Sequence, residues 1–234
     1  MQKHKIVLLA GKQSGALSML KPRHLILAFA ALFAVSNVAT AEGPGHKIVT
    51  QGNGKGATAC VACHGANGEG QAQAGYPKLA GLNQAYLAKQ LHDFSSNSRK
   101  NPIMDKIAKA LTKKEIKAVT AYYAAQTPPS KQDKATADSG IMEVGKDLAM
   151  NGNWPNDVPS CFACHGISAQ GVGSTFPTLA GQHAKYIENQ LQAWKSGQRH
   201  NDPNGLMEGI AKRLDHDQVM AVSAYLASLS TSHQ

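Results

Sequence analysis

Apolar positions along this chain recur with the period of a helix, and the pattern appears twice. Thr112-Lys113-Lys114-Glu115 has the form of a capping box ahead of Ile116, Val119 and Tyr123, an i, i+3, i+7 face. Asp215-His216-Asp217-Gln218 opens a matching stretch, followed by Val219, Val222, Leu226 and Leu229. Residues 84–94 and 183–194 read as a second matched pair of helices. Residues 65–75 and 166–175 are rich in glycine or small residues and predict loops. No sustained alternation of apolar and polar positions predicts a sheet. The pattern therefore predicts an all-α protein, with three or four helices and long loops in each half.

The halves also match in register. Tyr76-Pro77-Lys78-Leu79-Ala80-Gly81 corresponds to Phe176-Pro177-Thr178-Leu179-Ala180-Gly181. Tyr86, Gln90, Leu91, Phe94 and Arg99 correspond to Tyr186, Gln190, Leu191, Trp194 and Arg199. After a three-residue insertion, Met104, Ile107, Ala108 and Leu111 correspond to Met207, Ile210, Ala211 and Leu214. Each half has the size of a small domain that folds around one core. The expected divisions are residues 1–41 as an export signal, 42–126 as the first domain, 127–140 as a linker and 141–234 as the second domain. Thr127-Pro128-Pro129-Ser130 and the polar run after it carry the linker assignment.

The signal assignment rests on Lys21 and Arg23, an apolar run over 25–35, and Ala39-Thr40-Ala41 as a small-x-small cleavage site. The run is short for a membrane span, so a cleaved signal is expected ahead of a retained anchor. The lead-in before it is long, and Met19 is an alternative start. The formal charge of +9 is uneven. Residues 42–126 carry 11 basic and 5 acidic side chains, whereas residues 141–234 carry 6 and 8. Such an asymmetry steers a docking partner or is simply solvated. An exported chain without a basic aromatic platform is not expected to bind nucleic acid.

The chemistry lies in two pentapeptides, Cys60-Val61-Ala62-Cys63-His64 and Cys161-Phe162-Ala163-Cys164-His165. Both are C-x-x-C-H, the attachment signature of c-type haem. Cysteines three apart on a helical turn share a face and reach the two vinyl groups of one porphyrin, and the histidine turns its imidazole onto the iron. The alternatives are a zinc shared between the C-x-x-C pairs, a dithiol redox pair and plain disulfides. None of these accounts for the histidine that ends both motifs. The expected cofactors are two covalently attached haem c groups, held by Cys60, Cys63, Cys161 and Cys164, with His64 and His165 as proximal ligands. Met104 and Met207, at matching positions late in each half, are the candidates for the opposite axial position. Met142, Met150 and Met220 have no methionine counterpart and are assigned to packing. His92, His183, His200 and His216 also do not repeat and are assigned to the surface.

C-x-x-C-H-G, then Tyr/Phe-Pro-x-Leu-Ala-Gly, a helix, an arginine and a late methionine, all repeated, resembles class I c-type cytochromes. The doubled form resembles the dihaem cytochrome c4 family, over residues 45–229. The resemblance implies an all-α fold of two tandem class I cytochrome c domains, with the haems near the domain interface. It implies a periplasmic electron carrier rather than an enzyme, delivering electrons to a terminal oxidase or similar acceptor, in loose association with the membrane. Redox partners would be a quinol-oxidising complex, a dehydrogenase, a small electron carrier or a terminal oxidase. It also implies that the carbonyls of Pro77 and Pro177 accept the Nδ1–H of the proximal histidines. Arg99 and Arg199 are candidates for the haem propionates, or else ordinary surface arginines. The polar stretch from Asn151 to Asp157 is longer than its counterpart and bears on where a partner docks. The rival readings are a cytochrome subunit of a dehydrogenase complex, a dihaem peroxidase or thiosulfate-oxidising enzyme with an open haem, and a gas sensor.

Overall fold

Capping and close helix crossings account for how each half is built. In a computed structural model of the chain, which describes residues 43–128 and 137–231, the first half contains α1 (Pro44–Gln51), α2 (Val61–His64), α3 (Gln84–Ser95), α4 (Met104–Lys109) and α5 (Lys113–Ala124). The second repeats the order as α6 (Ser139–Asn151), α7 (Cys161–His165), α8 (Ala184–Lys195), α9 (Leu206–Arg213) and α10 (His216–Ser228). Among the described residues each half thus has five α-helices, against the three or four expected. The extra ones are short turns, which periodicity does not register. Helix α6 begins at Ser139, inside the segment expected as linker, because the Asp138 side chain accepts the Ile141 N–H and caps it. The expected export signal (1–41) and linker positions 129–136 lie outside the described residues.

Both anticipated capping boxes form. The Thr112 side chain accepts from the Glu115 N–H while the Glu115 carboxylate accepts from the Thr112 N–H, and Asp215 and Gln218 repeat the exchange. Among the described residues there is no strand, only isolated bridges, one of which pairs Arg99 with Arg199. No helix of the described residues is long and apolar enough to cross a membrane.

In each half the first helix crosses the last at a glycine. A Cβ on Gly45 would lie 2.3 Å from the Ala118 carbonyl oxygen, and one on Gly145 2.1 Å from that of Ala221. These distances forbid any side chain without separating the helices. Gly145→Val is expected to lower stability by about 1–3 kcal/mol, the usual cost of overpacking. A urea titration of the haem-loaded protein measures it, and an unchanged midpoint would mean the crossing is looser than drawn.

The two cores differ in size. Ile48, Val49, Leu87, Val119 and Tyr123 form the first, with Cys60 and Val61 packed against it. The second is larger, from Leu148 through Val158, Ile187 and Leu191 to Leu226, with Cys161, Phe162 and Met207 against it. The cysteine motif therefore seals one side of the core in both halves. Two sequence-based packing assignments are corrected: Met150 is 47% exposed and Met220 43%. Met220 follows Val219 on α10, and a helix turned to bury Val219 and Val222 leaves position 220 facing solvent.

Candidate haem sites

Each C-x-x-C-H motif forms a short helical turn ending at its histidine. In the first, the His64 N–H donates to the Cys60 carbonyl (2.9 Å). In the second, the Ser160 hydroxyl accepts the Phe162 N–H (3.2 Å) and caps α7. The chain then leaves in a loop that folds back on the motif. The Gly70 N–H reaches the His64 carbonyl (2.9 Å), and the Gly171 N–H reaches that of His165 (2.7 Å). Leu79 and Ala80 then bond to the Gly68 carbonyl, as Leu179 and Ala180 do to that of Ala169. Gly68 has φ +74° with no room for a Cβ. Its structural counterpart Ala169 takes the left-handed conformation too, after a left-handed Ser168. Two consecutive non-glycine residues there store backbone strain beside the second motif.

That fold-back delivers a proline carbonyl to each imidazole. His64 Nδ1 lies 3.1 Å from the Pro77 oxygen and His165 Nδ1 2.8 Å from the Pro177 oxygen. A carbonyl only accepts, so both Nδ1 atoms carry the proton and both Nε2 atoms keep a lone pair. Burial pushes the pKa of both histidines down, against the raising effect of the carbonyl bond, which keeps the rings neutral at neutral pH. Tyr76 and Phe176 flank the rings, with centroids 6.5 and 6.0 Å away.

The thiols are unpaired and partly buried. Burial pushes Cys60 and Cys161 up to about 11. A redox dithiol needs a depressed pKa, so the dithiol reading loses its basis. Among the described residues no three His, Cys, Asp or Glu side chains converge where they could hold a metal ion, so the shared-zinc reading also fails. What each motif does present is a partly buried thiol at the start of a turn, a second cysteine three residues on, and directly after it a neutral imidazole with its ligating nitrogen pre-set. That donor set fits a covalently linked haem.

Met104 and Met207 occupy equivalent places, at or next to the start of a short helix, and both are half-buried. A polar side chain fixes each backbone: Met104 N–H donates to Asn101 Oδ1 (2.9 Å) and Met207 N–H to Asp202 Oδ2 (2.7 Å).

Arg99 and Arg199 are not surface residues, being only 6% and 5% exposed. They lie between the halves, each stacked on the aromatic ring of its own copy, Phe94 or Trp194. Arg99 donates to Gln90 (2.9 Å), Tyr186 (2.9 Å) and Gln190 (2.7 Å). Arg199 donates to Gln190 (3.0 Å), Gln90 (3.2 Å) and Asn201 (2.8 Å). Both guanidinium groups therefore share the same two glutamine oxygens. Burial and then the charge of Arg99 pull the Arg199 pKa below its usual range. The carboxylate that joins this network is Asp93, which accepts from Asn201 Nδ2 (2.7 Å) and pairs with Lys89.

Sequence reasoning missed most of this interface. Lys78 N–H and carbonyl both bond the Gln182 amide at 2.9 Å, and Lys78 Nζ reaches the Gly181 carbonyl. His183, assigned to the surface, is 4% exposed, and its Nε2–H donates to the Glu69 carbonyl (2.9 Å). Its counterpart Asn83 caps α3 through its side chain, whereas α8 has no side-chain cap at His183. The loss of a good cap residue in one copy was the available signal. For Tyr86, Gln90, Tyr186 and Gln190 the signal was a polar pair repeated on one helix face.

A family model described as Cytochrome c matches residues 49–125 and 142–230. The chain belongs to the cytochrome c family. Its tandem arrangement places it with the dihaem c4-like members, and the cytochrome carries two covalently bound haem c groups. It is 46% identical to a protein of Stutzerimonas stutzeri named thiosulfate dehydrogenase electron acceptor, over 90% of this chain and 97% of the relative. It is 40% identical to cytochrome c4 of Thiocapsa roseopersicina, over 76% of this chain and 91% of that one. Among solved structures, reduced cytochrome c4 from Pseudomonas stutzeri superposes with TM-score 0.70 at 30% identity, covering 81% of this chain and 98% of the other. The thiosulfate dehydrogenase TsdBA of Marichromatium purpuratum gives TM-score 0.73 at 43% identity, covering 79% of this chain. This chain spans only 39% of that protein's length. The cytochrome thus performs dihaem electron transfer, the activity its fold and motifs share with these relatives.

Proposed function

We propose that the cytochrome is a periplasmic electron carrier that accepts electrons from a dehydrogenase, thiosulfate dehydrogenase being the favoured donor, and passes them towards a terminal oxidase. The bound haem supplies one-electron cycling between ferric and ferrous iron. The chain's own residues do the rest. Cys60, Cys63, Cys161 and Cys164 hold the two groups as thioethers. His64 and His165 offer Nε2 from rings locked by the Pro77 and Pro177 carbonyls. Met104 and Met207 would hold the group from the other side and keep water and exogenous ligands from the iron. Arg99 and Arg199 would offset the charge of the haem carboxylates from the interface. Fixed ligands in both oxidation states keep rearrangement small, which suits transfer rather than bond-breaking.

The observation that carries this reading is the duplicated imidazole–carbonyl bond behind each C-x-x-C-H motif, which prepares both sites as permanent axial ligation requires. Support for the donor comes from the 46% identity, spanning 97% of its length, to a relative named as an electron acceptor of thiosulfate dehydrogenase. The test is the oxidised absorption spectrum of the haem-loaded protein, quantified per haem in the far-red methionine-to-iron band. Two methionine-ligated haems are expected. A band for one haem or none would leave an open site and bring an enzymatic reading forward.

A further inference from the structure

The copies diverge most in charge at the corner that carries the late methionine. In the first half, Lys106 and Lys109 on α4 and Lys113, Lys114 and Lys117 on α5 are all exposed. Lys55, also exposed, lies on a loop clipped to the same corner by the Asn53 amide, which donates to the Ala110 carbonyl (2.7 Å). The two local carboxylates are occupied with backbone groups: Asp105 accepts the Asn101 N–H (2.9 Å) and Glu115 the Thr112 N–H (2.7 Å). None of these six lysines is in an ion pair among the described residues. The matching positions of the second half hold Gly209, Lys212, His216, Asp217 and Met220, and its Lys212 is neutralised by Glu208.

Helix energetics argues against this arrangement as a structural device. Lys113 and Lys114 occupy the first turn of α5, where the macrodipole disfavours cations, and Lys113 and Lys117 repel as an i, i+4 pair. The equivalent turn of α10 carries Asp217, the favourable choice. Glu115 lies in the first turn of α5 as well, so the contrast is at one position, where the first copy has Lys114 and the second Asp217.

We infer that the α4–α5 corner of the first half is the docking face for an acidic redox protein, so that electrons pass to or from that partner through the first half. This rests on the electron-carrier reading above. Six lysines against two carboxylates leave an excess of positive charge beside the haem site, which raises the encounter rate with an opposite surface and fixes its orientation. An anionic membrane is disfavoured as the occupant, because interfacial binding needs apolar anchors among the cations. In the first half Ile103 is the one exposed large apolar side chain among the described residues.

The test uses the haem-loaded protein on gold coated with a carboxylate-terminated monolayer, read by film voltammetry. The expected result is a film signal that disappears at high salt and falls roughly tenfold in the triple variant Lys113→Gln/Lys114→Gln/Lys117→Gln. Lys146→Gln/Lys212→Gln, which removes two charges from the second half against three from the first, should behave as wild type. Equal signals from wild type and the triple variant would overturn the inference, as would an equal loss in the second-half variant. Sedimentation of the wild type with phosphatidylglycerol vesicles at about 0.15 M salt, where surface charge is screened beyond about 8 Å, would overturn it in favour of a lipid surface. A solution haem spectrum of each variant separates these outcomes from failure of the carrier reading: two intact haems with no charge dependence sinks the docking face alone.

Discussion

Replacing Met104 by alanine is expected to lower the reduction potential of the first haem by on the order of 0.1 V, a modest part of the roughly 0.8 V over which axial ligands set haem potentials. The second haem should keep its native value. A thioether favours ferrous over ferric iron, and losing it leaves a position that water or added imidazole fills. The substitution is well suited to the site. Met104 is the first residue of α4 and its backbone is held by Asn101, so alanine keeps the helix while deleting the sulfur. The effect stays local because each motif packs against its own core. Met207→Ala should mirror the result for the second haem, with a larger loss of stability, since Met207 also packs against the core of its half. A two-step redox titration, repeated with imidazole, reads both haems at once. Unchanged potentials in both variants, with no imidazole binding, would remove the methionines from the ligand set.

The difference between what was legible in the sequence and what was not follows from how compactly each feature is encoded. Covalent haem attachment compresses its chemistry into five consecutive residues, so Cys60 through His64 and Cys161 through His165 read directly. The proline bond was reached by resemblance, and a fold-back through a glycine-rich loop makes it in both copies. The interface is encoded differently. Lys78, Asp93, Arg99, Gln182, His183 and Asn201 come from separate segments and meet only when the copies face each other. The repeat pairs Gln90 with Gln190 and Arg99 with Arg199 along the chain, but not that each arginine bonds the glutamine of the other copy. His183 illustrates the failure: a polar residue without a repeat partner reads as surface until the first copy supplies the Glu69 carbonyl.

Neutralising Arg99 should, in contrast to the methionine variants, lower the potentials of both haems. The expected shift is about 1 kcal/mol per haem, the size of one charge acting through a partly screened medium, or on the order of 40 mV for a one-electron couple. The two guanidinium groups are buried between the copies and share the Gln90 and Gln190 oxygens, so neither charge belongs to one half. A fixed positive charge favours the reduced, less positive iron, and removing it favours the oxidised one. The cluster is short of anions: Arg99 and Arg199 bond neutral side chains, and Asp93, which joins the network through Asn201, already pairs with Lys89. That deficit is what a haem carboxylate on either side would offset, in keeping with the role proposed for the pair. Stability moves in two directions in Arg99→Gln. Tyr186 and both glutamines lose a donor, at about 1–3 kcal/mol for a buried group left unsatisfied, while the repulsion between the guanidinium groups is relieved. Gln90 keeps Arg199 and Asn201 as donors and Gln190 keeps Arg199, so a small net loss in a urea titration is expected. Arg99→Lys separates charge from bonding. It retains the cation but not the fork, so stability should fall with both potentials nearly unchanged. If Arg99→Gln shifts one haem alone, or neither, the arginine pair is a clasp between the copies and not a shared electrostatic setting for their irons.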